Sequence, residues 1–215
     1  MIAAAVVLRR VFALAYPSPS APPQLAALDA VFASHPALTL THILPALAFV
    51  VLAPFVYIRH FAGTKWPRRL LFPLGAVVSV TAYAMSVDSV GGWVERSAVL
   101  LFNSLFLFSL FRAYRHMRRG ETLLELRWMT RAIGILLGIA TTRPVMGIFF
   151  ATSRLTHLEP QQFFGIAFWI GFSINTVIIE LWLRSSEGHS LTKRLATDPV
   201  CDRERMQSRD NHAVS

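Results

Sequence analysis

The sequence predicts an all-α, polytopic membrane bundle, and three observations carry that prediction. The chain of 215 residues is 54% hydrophobic and only 15% charged, with a mean hydropathy of +0.48, too apolar for an ordinary soluble domain. Its apolar residues come in runs of about 20, the length of helix needed to cross a hydrocarbon core of roughly 30 Å. Its Lys and Arg residues gather in alternate connections between those runs, as cytoplasmic loops require.

Five spans follow from the apolar runs, at about 41–58, 70–87, 96–113, 130–152 and 163–183. They form one membrane domain over 41–184, and no internal repeat points to an inverted-repeat transporter. Residues 1–40 form an N-terminal segment. Its first 16 residues would reach only about 24 Å as helix, which predicts an interfacial or truncated helix broken at Pro17. A Pro/Ser-rich linker follows it. Residues 185–215 are polar and mixed in charge, a composition that predicts a disordered tail.

The basic residues give the orientation. The connection after the first span holds Arg59, Lys65, Arg68 and Arg69, and the next holds none before Arg96. The third holds Arg115, Arg118, Arg119 and Arg127, the fourth only Arg154, and the tail from Arg184 is basic again. The alternation predicts a C-terminus in the cytoplasm and residues 17–40 on the outer side of a bacterial inner membrane. Nineteen of the 21 basic residues are Arg, in keeping with a GC-rich bacterial gene. A net charge of +9 could also serve nucleic acid, but this loop placement accounts for it with a lipid bilayer as partner and no nucleic acid. Cys201 is the single cysteine, so no internal disulfide or cysteine metal pair can form.

The stretch "ATTRPVMG" places Arg143 and Pro144 inside the fourth span. An arginine at a helix centre is unfavourable by about 2.5–3.5 kcal/mol and normally faces protein or a watery cavity. Pro144 cannot donate to the Ala140 carbonyl, which Arg143 or Thr141 could serve instead. Gly134 and Gly138 form a GxxxG pair suited to close helix packing. At 100° per residue Arg143 lies roughly 180° from Gly134 and 140° from Gly138. One face thus wants a tight neighbour and the other a shelter, which places the fourth span at the bundle centre.

Counted along the helix, Arg143 stands about 18 Å from the inner end of its span, slightly into the outer half. Thr81 and Asn103 fall at similar depth, Asn175 further inward, and His42, Asp88 and Glu95 nearer the outer rim. Two readings follow. Arg143 ties helices together through carbonyls and polar side chains, or Arg143, His42, Asn103, Asp88 and Glu95 form a site for a small ligand, quinone-like or anionic. Haem is disfavoured, because no two histidines stand at matched depth in facing helices. His60 and His116 lie beyond inner helix ends and read as solvated, and His157 as an ordinary loop residue. Glu180 can pair with Arg184 one turn on. No Walker loop, nucleophile elbow or zinc-protease helix is present, so no catalytic residue, metal ligand or cofactor is assigned and an enzyme is disfavoured. Small-solute transport would need a polar path, and the inner half offers only Glu180 and Asn175.

Three stretches stand out within residues 32–184: "FASHPALTLTHILPALAFVVLAPFVYIR", "LRWMTRAIGILLGIATTRPVMGIFFATSRLT" and "FFGIAFWIGF". Through them the chain resembles a bacterial family of multi-pass membrane proteins known as domain of unknown function 2306. The resemblance implies a histidine opening the first matching span, met by His42. It also implies a His-x-x-Trp-Met-x-Arg before the fourth, met by Trp128, Met129 and Arg131. Glu125 stands where that second histidine belongs, and Thr64 where the family has a His-Arg. A cofactor held by those histidines in relatives would have lost most of its site here.

Overall fold

The computed structural model describes residues 35–58, 66–89, 91–156 and 160–196, excluding the side chains of 88, 153–162 and 187–196. The expected N-terminal helix and linker up to residue 34, residues 59–65 with His60 and Thr64, His157, and the tail from 197 lie outside them. The chain divides into two compact units, residues 1–176 and 177–215.

Every described element is helical. Helix α1 (Pro36–Leu52) passes into a 3-10 turn, Ala53–Val56. Helix α2 (Trp66–Met85) ends in a second one, Ser86–Asp88. Helices α3 (Gly92–Arg118), α4 (Thr122–Leu136), α5 (Gly138–Thr156) and α6 (Pro160–Ala196) follow. Among the described residues, four stretches are long and apolar enough to cross a membrane: Pro36–Val56, Gly92–Arg118, Thr122–Thr152 and Phe163–Ser186. Helix α2 corresponds to the expected second span, but its first turn carries Arg68 and Arg69, leaving residues 70–85 as its apolar part.

Three boundaries differ from the sequence reading. The third connection, expected as a loop from 114 to 130, is helix on both sides of a tight turn at Arg119–Glu121. Gly120 sits there at φ +75°, a left-handed conformation that a side chain would strain. The fourth span is two helices, interrupted at Leu137, where the Ala140 N–H bonds the Leu137 carbonyl at 2.9 Å. That 3-10 step falls beside Gly138, a weak helix former, while Pro144 lies inside an uninterrupted α5. The last helix runs on to Ala196, past the expected start of a disordered tail.

Within residues 1–176, α1 packs on α2, α2 on α3, and α3 on α4. Phe49 of α1, Leu71 of α2, Phe102, Phe106 and Leu110 of α3, and Met129 and Ile135 of α4 bury one continuous core. The Phe49 and Phe106 rings meet edge-on at 5.8 Å. Gly75 makes the approach possible, since a Cβ there would stand 2.6 Å from Leu110 Cδ2 and 3.2 Å from both phenylalanine rings. A second cluster joins Met146 of α5 to Phe163, Phe164 and Ala167 of α6. Outside these cores large apolar side chains are exposed, among them Val51, Val80, Phe111 and Ile148. Water would penalise such a surface at about 25 cal/mol per Å²; acyl chains do not.

In residues 177–215, the Arg184 Nε donates to Glu180 Oε1 at 3.5 Å, the one-turn pairing expected from their spacing.

Candidate functional site: two polar clusters at opposite helix ends

The residues expected around Arg143 make their contacts at several different points. Arg143 and Pro144 lie on the exposed face of α5, so the sheltered arginine at the bundle centre is corrected. Gly138 and Thr142 of the same helix are buried. The Arg143 charge acts on Glu95 near the start of α3. Glu95 Oε2 accepts the Gly91 N–H at 2.5 Å, holding the carboxylate over the N-terminal turn of its own helix, where the helix dipole favours an anion.

His42 of α1 and Asn103 of α3 each reach α2. His42 Nδ1 is 2.9 Å from Thr81 Oγ1, whose hydroxyl also donates to the Val77 and Val78 carbonyls at 2.7 and 3.0 Å. Asn103 Nδ2 donates to the Ser79 carbonyl at 2.9 Å. The two contacts reach α2 from different helices, α1 and α3, which themselves meet at Phe49 and Phe106. Tyr83 and Ser104 add a hydroxyl pair at 2.7 Å. Asp88 belongs to the second 3-10 turn, and its side chain lies outside the described ones.

Gly134 and Gly138, expected to form one packing stripe, fall on two different helices. A Cβ on Gly138 would stand 3.0 Å from Phe172 Cα, and one on Gly171 would stand 2.7 Å from the Thr142 backbone nitrogen. Gly138, Thr142 and Gly171 thus form the close α5–α6 crossing, while Gly134, also buried, belongs to α4 beyond the Leu137 break. Asn175 Nδ2 donates to Thr141 Oγ1 across the same crossing at 2.9 Å. Trp169 Nε1 ties α6 to α3 through the Val94 carbonyl at 3.2 Å.

A second cluster, which the sequence reading did not assemble, surrounds the α3–α4 turn. Glu125 is 3% exposed, and its Oε2 accepts Arg68 Nη1 of α2 at 3.4 Å. Its Oε1 is buried and has no hydrogen-bond partner among the described residues. His116, expected to be solvated, is buried with Nδ1 2.5 Å from Glu121 Oε2. The Arg112 and Arg131 guanidiniums lie 5.0 and 4.6 Å from the Trp128 ring centroid, within cation–π range. Tyr57 closes the α1 end by bonding Thr130 Oγ1 at 2.6 Å. The available signal was Glu125 itself, a carboxylate one helical turn before a Trp-Met pair on an amphipathic stretch. Among the described residues no three His, Cys, Asp or Glu side chains could together hold a metal ion.

The Glu125, Trp128, Met129 and Arg131 cluster and His42 all fall within residues 39–183, which match the family model described as predicted membrane protein (DUF2306). No curated protein and no solved structure matches the chain. A match over two thirds of the sequence, on helices whose exposed faces are apolar, makes this chain a member of the DUF2306 family of membrane proteins.

Proposed function

We propose that the chain is a non-enzymatic, five-span protein of the bacterial inner membrane, with its C-terminus cytoplasmic, whose intramembrane polar residues serve helix association. One observation carries this reading. His42, Asn103, Tyr83, Asn175 and Trp169 each engage a neighbouring helix through a polar atom. That is the use of polar side chains that lipid-embedded helices favour. Helix α2 counts as the fifth span because its 20 residues rise about 30 Å. The alternation of basic connections supports the orientation.

The test is ligand-dependent stability. Purified protein in neutral detergent is melted with and without a soluble quinone analogue and small inorganic anions, and its visible absorption is recorded. Structural pairing predicts an unchanged melting temperature and no Soret band. A quinone or anion that raises the melting temperature of the wild type but not of Arg143→Gln would overturn the structural reading in favour of a ligand site.

A further inference from the structure

We propose that the α2–α3 groove lined by Arg69 and Arg118 binds the phosphate headgroup of an anionic phospholipid. The groove has a volume of about 350 Å³ and is formed by Arg69, Phe72 and Pro73 of α2 with Tyr114, Met117 and Arg118 of α3. The Phe72 and Tyr114 rings meet edge-on at 5.3 Å beneath it. Both arginines are exposed. The two neighbouring basic residues differ in their engagements: Arg68 reaches back to Glu125, whereas Arg69 faces the groove.

The surface beyond the groove favours a lipid over a free anion. Along α3, Leu107, Phe111, Tyr114 and Arg118 follow one another at four, three and four residues, one continuous stripe of the helix. All four are exposed. Along α2, Arg69, Pro73, Ala76 and Val80 repeat that spacing and are also exposed. The two helices run in opposite senses, so both stripes change from basic to apolar in the same direction, away from the shared groove. A guanidinium pair at one end and two apolar tracks at the other match a headgroup phosphate with its acyl chains. Arginine supplies a planar fork of donors for phosphate oxygens, and basic pockets between helices at the headgroup level are a known mode of lipid recognition.

The experiment uses full-length protein in neutral detergent, followed by native mass spectrometry and thermal melting. The probes are phosphatidylglycerol, phosphatidylcholine and inorganic phosphate. Phosphatidylglycerol is expected to remain bound and raise the melting temperature, with phosphatidylcholine and phosphate doing neither. Arg69→Gln and Arg118→Gln, made singly and together, should each weaken phosphatidylglycerol binding about fivefold while the lipid-free melting temperature stays at the wild-type value. Equal retention of phosphatidylcholine, an equal shift with inorganic phosphate, or undiminished phosphatidylglycerol binding by the single variants would each overturn the proposal. Leu107→Ala with Phe111→Ala, which leaves both arginines in place, should also reduce lipid retention; unchanged retention would sink the acyl-track assignment.

Discussion

The two ends of the same helices hold their polar residues in different ways. Around the α3–α4 turn the polar groups are charged, and a buried Glu125 depends on Arg68. At the opposite end His42, Thr81, Asn103 and Tyr83 make short contacts that carry no charge when the imidazole is neutral. The lesson concerns which losses a bundle tolerates. A neutral pair that loses one member leaves a single polar atom to find another partner, and helices in lipid often supply one. A buried carboxylate that loses its cation leaves a charge, and the desolvation penalty stays.

The comparison can be broken most easily at Arg68. Arg68→Ala should destabilise the folded protein by about 3 kcal/mol, the usual cost of stripping one partner from a buried ion pair. Chemical or thermal unfolding in detergent measures it. Adding Glu125→Leu to that variant removes the stranded charge and should recover most of the loss. Failure to recover would mean that Arg68 acts through packing and its other contacts rather than through Glu125.

Close backbone approach is the next largest effect. Gly171→Ala would press a methyl group against the Thr142 backbone and should cost about 2 kcal/mol, within the range for overpacking. Gly147→Ala is its control, because nothing lies within 4 Å of a Cβ there. It should stabilise α5 by about 0.5–1 kcal/mol through helix propensity. Equal responses of the two variants would remove the α5–α6 crossing from the list of what holds this region together. His42→Phe follows at about 1 kcal/mol or less, the worth of one interhelical hydrogen bond in lipid. Its cost should fall when Thr81→Val is already present.

The sequence made the helices legible because length and apolarity are local properties, visible in each run without reference to any other. Gly138 and Arg143 are also related by helix geometry alone, and the first is buried while the second is exposed. What the sequence missed depended on contacts across it. Nothing local to Glu125 says that Arg68, 57 positions away, reaches it. His116 looked solvated because it stands among arginines, yet the α3–α4 turn brings Glu121 back onto its ring. The interruption at Leu137 escaped as well, because the apolar run from 130 to 152 is continuous there. A proline in a long apolar helix loses one hydrogen bond, whereas the step at Leu137 shortens a turn between two glycines.

Arg143 offers the sharpest and smallest test of the contrast between the two ends. It is charged like the groups near the α3–α4 turn, yet it sits on an exposed face, and its electrostatic partner Glu95 already accepts a backbone N–H. If burial rather than charge sets the cost, Arg143→Gln should change stability by less than about 1 kcal/mol, because an arginine in the outer half of its span can snorkel to the headgroups, where such pairs are screened. Glu95→Gln keeps the side-chain shape and removes the charge. A double-mutant cycle between the two should give a coupling of about 0.5 kcal/mol, measured as the departure from additivity of the unfolding free energies. A coupling as large as that expected between Arg68 and Glu125 would mean that the Arg143 guanidinium is desolvated on Glu95 in the bilayer. The division between a charged, buried end and a neutral, paired end would then fail, and Arg143 with Glu95 would join Arg68 with Glu125 as a second ion pair on which the bundle depends.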